Sequence, residues 1–260
     1  MRESETDYYD QKLIKGNYFP FYEKRFDNWL DHNGDYHIIK ILLAIACDTS
    51  KKRVAIDIGA NVGLMSRVLS KHYDCVIAFE PSSQNRACLY RNLDIGANNV
   101  IIFPYAVGSE DKLSILEINQ ENCGGTKIQG DLENKNSEKV QLVRLDKLTK
   151  IMDSFGCISF IKMDIQGGEV EALKGSLETI QKHRPLMMIE VEESNVSRLN
   201  TIKQIFKQVD YIEFLVLGKE GKDILFIPNE KATNETKSRI TEFARNKGLP
   251  LKKAAHNNEK

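Results

Sequence analysis

The chain has 260 residues, of which 41% are hydrophobic and 28% charged, an ordinary globular composition with length for one large domain and appendages. Basic and acidic residues both number 37, so the net charge is zero, which excludes a nucleic-acid surface spread over the whole molecule. The five cysteines include no Cys-x-x-Cys pair, and the longest apolar run near the N-terminus, Ile41 to Cys47, is too short to span a bilayer. Reduced thiols and the polar opening MRESETDYYD lead to the expectation of a cytoplasmic protein.

Residues 1–50 are expected to form an N-terminal segment. Tyr18, Phe19, Phe21, Tyr22, Phe26 and Trp29 crowd its middle. Packing on the core is the expectation, and a lid over a site is the alternative by fold-level analogy. Tyr36 to Ala46 has helical spacing. Val54 to Ile58 is an apolar, β-branched run, the pattern of a strand buried on both faces. Gly59 to Gly63 form a turn, and Leu64 to Ser70 read as helix. Cys75 to Glu80 is a second buried strand that ends in an acid. Pro81 forces a turn, and Ser82 is placed to cap a helix reaching about Asp94. Val100 to Pro104 is the third strand, and Tyr105-Ala106-Val107-Gly108 leaves it at the same edge.

Residues 112–118 and 139–145 alternate as strands do. Between them, Gln120 to Ser137 is a long polar loop carrying Cys123-Gly124-Gly125-Thr126, for which substrate contact and disorder are the two readings. Asp146 to Met152 is a short helix. Cys157 to Met163 is the fourth central strand, ending at Asp164. After the Gln166-Gly167-Gly168 turn, Glu169 is expected to open one helix to about His183, with Glu171 and Lys174 paired. Leu186 to Val191 is the fifth strand and Asn195 to Phe206 a helix. Tyr211 to Leu217 and Asp223 to Ile227 read as a hairpin. Residues 231–260 are expected to hold a surface helix, Thr233 to Asn246, and a basic disordered tail from Leu249.

The turn after the first strand selects a ligand. A dinucleotide site needs Gly-x-Gly-x-x-Gly, because its second glycine lets backbone approach the pyrophosphate. Asn61 stands at that position, and Asp57 would repel a pyrophosphate. S-adenosylmethionine has no phosphate and carries a positive amino group, which suits Asp57 directly or through water. Its carboxylate suits the helix start at Leu64. Glu80, 21 residues after Gly59, is at the distance of an acid that binds ribose hydroxyls. The acids gathered at the strand ends (Asp57, Glu80, Asp164 and Glu190) need a cation. The positive ligand or a hard divalent ion would serve. No histidine or cysteine pair has transition-metal spacing, and no metal ligand is assigned.

The blocks DIGANVG, FEPSSQNRACLYRNL, YAVG, VRLDKL, IKMDIQGGEVEALKG and RPLMMIEVE resemble the FkbM family of S-adenosylmethionine-dependent methyltransferases, in that family's order. The resemblance implies a class I methyltransferase, Rossmann-like α/β fold over residues 51–230. That fold is a mostly parallel seven-stranded sheet with a terminal antiparallel hairpin and helices on both faces. It also implies methyl transfer, most often to a hydroxyl, here of a small molecule or glycan. Cofactor contacts are expected from Asp57, Gly59, Ala60, Asn61 and Gly63 in the first turn, and from Glu80, Pro81 and Ser82 in the second. Backbone groups of Tyr105 and Ala106 are expected beside the adenine. For catalysis the candidates are Asp164 at the end of the strand beside the cofactor strand, Glu169 at the next helix start, and Glu190 in reserve. Glu169 has a second reading, a favourable charge at a helix N-terminus. The family often has an acid where this chain has Gln166, which puts the burden of a base on Asp164. Nitrogen methylation, a macromolecular acceptor, a non-catalytic nucleotide-binding module and homo-oligomerisation stay open. Asn61 and Asp57 argue against an oxidoreductase.

Overall fold

The computed structural model of the chain describes residues 11–14, 16–20, 22–24, 54–93, 96–128, 136–191, 195–217, 223–246 and 252–253. The expected helix from Tyr36 to Ala46, and Phe21, Phe26 and Trp29, lie outside the described residues, as does the tail apart from 252–253. Strands β1 (Gln11–Ile14) and β2 (Asn17–Pro20) form an antiparallel hairpin. The expected alternation follows: β3 (Val54–Ile58), α1 (Leu64–Ser70), β4 (Cys75–Phe79), α2 (Ser83–Leu93) and β5 (Val100–Phe103). The chain then builds β6 (Tyr105–Val107), β7 (Lys112–Glu117), a 3-10 turn (Cys123–Gly125), β8 (Lys127–Ile128) and β9 (Ser137–Val143). Next come α3 (Leu145–Met152), β10 (Ile158–Met163), α4 (Glu169–Lys174), α5 (Leu177–His183) and β11 (Leu186–Glu190). The described chain closes with α6 (Val196–Gln208), β12 (Tyr211–Leu217), β13 (Asp223–Pro228), α7 (Asn234–Asn246) and β14 (Lys252–Lys253).

The main sheet has the order β14-β12-β13-β11-β10-β3-β4-β5. From β11 through β5 the strands are parallel, while β13 runs antiparallel between β11 and β12. The seven expected strands are present and the last hairpin strand inserts as expected. Lys252–Lys253 adds a short edge strand on β12, where the sequence suggested a disordered tail. The pleat sends alternate side chains to opposite faces, and helices cover both. Val54, Ile56 and Ile58 share one core with Leu145, Leu173, Ile180 and Phe206 from α3 to α6. Ala55, Val76 and Phe160 face Leu69 of α1 and Phe243 of α7.

Two features go beyond the sequence reading. The strands between β5 and α3 form a separate sheet, ordered β6-β9-β7-β8. The single helix expected over 169–183 is two. They part at Gly175, where a Cβ would lie 1.9 Å from the carbonyl oxygen of Gly108, so only glycine fits. The first-turn N–H groups of α5 are then served from another helix. Asp146 Oδ1 accepts from Thr179 N at 2.8 Å and Oδ2 from Glu178 N at 3.2 Å. The Glu171–Lys174 pair forms as expected, at 2.6 Å.

Gly175→Ala tests this close approach. Two backbones cannot separate without moving β6 and α4, so the variant should lose roughly 1–3 kcal/mol, the usual cost of overpacking. Urea unfolding measures it, and an unchanged midpoint would refute the contact.

Candidate active site

The site begins at a turn built from left-handed backbone. Gly59, Asn61 and Gly63 have φ of 80°, 52° and 86°. Glycine suits two of these positions, and asparagine is among the few other residues that visit this region readily. Gly59 has a second constraint, since a Cβ there would fall 1.9 Å from the carbonyl oxygen of Asp164. The ends of β3 and β10 therefore touch, and Asp164 stands directly beside the turn.

Glu80 follows β4 and is almost wholly buried. Its Oε2 accepts from Asn61 N at 2.8 Å and its Oε1 from Ser82 N at 2.9 Å. The Asn85 carboxamide donates to Oε1 at 3.4 Å and to the Cys123 carbonyl at 3.3 Å. Burial pushes the Glu80 carboxyl up to about 7, against the lowering effect of the Ser82 and Asn61 N–H groups. A cleft of about 660 Å³ opens here. Of the residues expected from sequence, Gly59, Asn61, Glu80, Pro81, Tyr105, Ala106 and Asp164 line it. Ala60, Gly63 and Ser82 do not. Ala60 packs against Ala78 and Leu89, Gly63 turns the chain into α1, and Ser82 Oγ accepts from Asn85 N at 3.4 Å as the expected cap. That helix start is also held by Glu138 of β9, which accepts from Ser83 N at 2.9 Å. Phe79, Phe103 and Tyr105 stack in series, with centroids 5.3 Å and 6.0 Å apart, and carry the chain from the main sheet to the second one.

The second sheet roofs the cleft through Leu116, Cys123, Gly124, Thr126, Lys127 and Ile128. Part of the long polar loop is therefore ordered structure over the site. Glu23, fully buried, accepts from Cys123 N, while Phe19 and Tyr22 pack with Val62, Cys88 and Cys123. The described part of the aromatic N-terminal segment thus packs on the core and braces the roof.

The acidic edge contains a buried cation. Asp57 is fully buried and does not line the cleft. Its Oδ2 accepts from Ser66 Oγ at 2.6 Å, and its Oδ1 lies 3.2 Å from Lys162 Nζ. Lys162 Nζ also donates to the Gly59 carbonyl at 3.2 Å and lies 3.7 Å from Asp164 Oδ2. Burial works against its charge, but Asp57 and then Asp164 outweigh it and hold the ammonium well above the ordinary lysine range. The cation that the acidic edge needs is thus a residue of the chain itself. Among the described residues no group of three His, Cys, Asp or Glu converges as a metal site.

Asp164 is partly exposed to the cleft and accepts from Gln166 Nε2 at 3.0 Å. Glu190 does not line the cleft but is hydrogen-bonded to Asp164. Asp164's charge, then burial, then Asp223 push its carboxyl up to about 9. Glu169 does not line the cleft. Its Oε1 accepts from Gly167 N at 2.8 Å, its Oε2 lies 3.6 Å from Arg198 Nη1, and burial raises its pKa. It closes the turn after Asp164. Lys162 and Asn85 are the site residues that sequence reasoning missed. A lone lysine in the buried run ISFIKM was the available signal for the first. Asn85 carried none.

A doubly wound sheet with an inserted antiparallel strand, and a cleft at the strand ends beside Glu80, is the class I methyltransferase fold. The Methyltransferase FkbM domain model matches residues 57–228, and the chain belongs to this family, whose methyl donor is S-adenosylmethionine. A hexuronic acid methyltransferase, AglP, from Haloferax volcanii is 24% identical over 203 residues, which cover 74% of this chain and 80% of that protein. The crystal structure of a methyltransferase FkbM from Methylobacillus flagellatus KT matches with a TM-score of 0.50 and 20% identity, covering 68% of this chain. The chain spans 44% of that structure's length.

The cleft residues fit the donor. Asn61 Oδ1, Asn85 Oδ1 and Thr126 Oγ1 are buried oxygens without a partner in the described structure, beside the acceptor-only Glu80 carboxylate. A ligand rich in hydroxyl and amino donors answers that set.

The Glu80 pKa gives a signed prediction. Folding raises it from 4.5, so its stabilisation of the unliganded chain is present below that value and is lost as pH rises through about 7. Ligand binding should show the opposite trend, because the ionised form accepts from ribose hydroxyls. Calorimetric affinity for S-adenosylhomocysteine should rise between pH 6 and pH 8 (~ one unit either side of the folded value). Glu80→Gln should flatten the profile and weaken binding by roughly 1.5–3 kcal/mol. A flat wild-type profile would rule out this assignment.

Proposed function

We propose that the chain methylates a hydroxyl of a small molecule or glycan, using Asp164 as the proton acceptor. The observation that carries this reading is one cleft lined by both Glu80 and Asp164, with Asp164 in backbone contact with the Gly59 turn. When bound, S-adenosylmethionine supplies a methyl carbon activated by its positive sulfur. Glu80, with Asn61 beside it, receives the ribose, and the backbone of Tyr105 and Ala106 borders the adenine. Asp164 takes the acceptor's hydroxyl proton on a carboxylate oxygen. Gln166, which cannot be a base, donates to that carboxylate and orients it. Glu190 holds Asp164 from behind.

Orientation of this kind is worth on the order of 7–11 kcal/mol and a general base a factor of roughly 10²–10⁴. A sugar acceptor is supported by the Haloferax relative, a hexuronic acid methyltransferase. Lys127, a half-exposed cation lining the cleft, suits an acceptor with a carboxylate. No described helix is long and apolar enough to cross a membrane.

The test uses methyl-labelled cofactor against uronic acids, neutral sugars and polyketide alcohols. An ether product on a uronic acid or neutral sugar is expected. With that acceptor in hand, Asp164→Asn should lower turnover by roughly 10²-fold or more and leave S-adenosylhomocysteine affinity within a few-fold. Wild-type turnover in the variant would remove Asp164 as the base.

A further inference from the structure

Lys162 sits in β10, buried along its whole length, where an apolar side chain would pack at lower cost. The parallel register sets it beside Asp57 of β3 and Met188 of β11. Its ammonium reaches three parts of the site: the Gly59 carbonyl at 3.2 Å, Asp57 Oδ1 at 3.2 Å and Asp164 Oδ2 at 3.7 Å. Resting on the reading of Asp164 as proton acceptor, we infer that Lys162 is a positioning residue that ties the Asp164 carboxylate to the Gly59 turn. Cofactor turn and proton acceptor then form one unit.

The surrounding charges support this over a simple counter-ion role. Asp57 already has a second partner in Ser66 of α1. Asp164 is faced by Gln166 and by Glu190 of β11, and Glu190 in turn by Asp223, its direct partner on β13. Glu169 of α4 is engaged by Arg198 of α6. Like charges placed opposite one another across strands are unfavourable. Lys162 is the cation that faces Asp57 and Asp164 together, and its field also lowers the Glu190 pKa. The Asp164 charge and burial raise the Glu190 pKa, so Glu190 holds its proton more tightly than a free carboxyl does, while Lys162 faces Asp164 across 3.7 Å.

The test removes a balanced pair of charges. In Lys162→Met/Asp57→Asn the ammonium and its nearest carboxylate leave together, which buried pairs tolerate far better than loss of one partner. Carbon-13 carboxyl resonances of the full-length chain are followed against pH, with Asp57→Asn alone as control. The Asp164 titration should rise by about one unit, tenfold in proton affinity, in the double variant and not in the control. S-adenosylhomocysteine affinity should fall roughly tenfold beyond the control, the effect of one lost charge-assisted contact. Equal titrations and affinities in the two variants would make Lys162 a counter-ion of Asp57 alone and overturn the inference. Should the double variant not fold, Lys162→Arg keeps the charge and displaces the contact with Gly59. Faster amide exchange at Gly59 to Asn61 with weaker S-adenosylhomocysteine binding is then expected, and wild-type values of both would overturn it. Failure of the proton-acceptor reading shows separately, as wild-type turnover in Asp164→Asn.

Discussion

The contact between the ends of β3 and β10 is the constraint on which the site depends. Gly59 approaches the Asp164 carbonyl so closely that no side chain fits, and Lys162 spans the same junction from below. A buried ion pair is weak evidence for stability, because desolvation cancels most of its attraction. Its value here is geometric. The ammonium satisfies the Gly59 carbonyl and faces two carboxylates, so one side chain fixes the turn, the strand ends and Asp164 in a common frame. Removing it alone would strand Asp57 in the core, a loss on the order of 3–5 kcal/mol by analogy with other broken buried pairs.

A second device recurs through the fold. Carboxylates from one segment accept backbone N–H groups of another. Glu80 holds Asn61 and Ser82, Glu138 holds Ser83, Asp146 holds Glu178 and Thr179, and Glu23 holds Cys123. Each answers donors that a turn or a helix start leaves open. Glu138 fastens the second sheet to the start of α2 in this way, and Glu23 fastens the N-terminal segment to the roof.

These long-range bonds also explain what could be read from the sequence. The central strands were legible because burial on both faces leaves continuous apolar runs, as in VAIDI and ISFIKM. Glu80 was legible because a strand, a turn and a helix fix its distance from Gly59. Features set by distant contacts were not. The need for glycine at 175 is set by Gly108, 67 residues earlier. The ion pair of Glu169 with Arg198, on a helix later in the chain, is another such contact. Asp57 looked like a ligand group until its register partner Lys162 was placed beside it. The sequence did announce a missing cation at that edge, but composition could not say that the chain supplies it.

The two halves of the cleft differ in how far local sequence determines them. The cofactor side is made by strand ends and tight turns of the parallel sheet, whose backbone geometry follows from short motifs. The roof that faces it, with Thr126, Lys127 and Ile128, is anchored at Cys123 by Glu23 and Asn85, from segments about 100 and 40 residues away in the chain, contacts that no local pattern encodes. The turn that marks the family is thus fixed by local sequence, and the roof opposite it by contacts between distant segments.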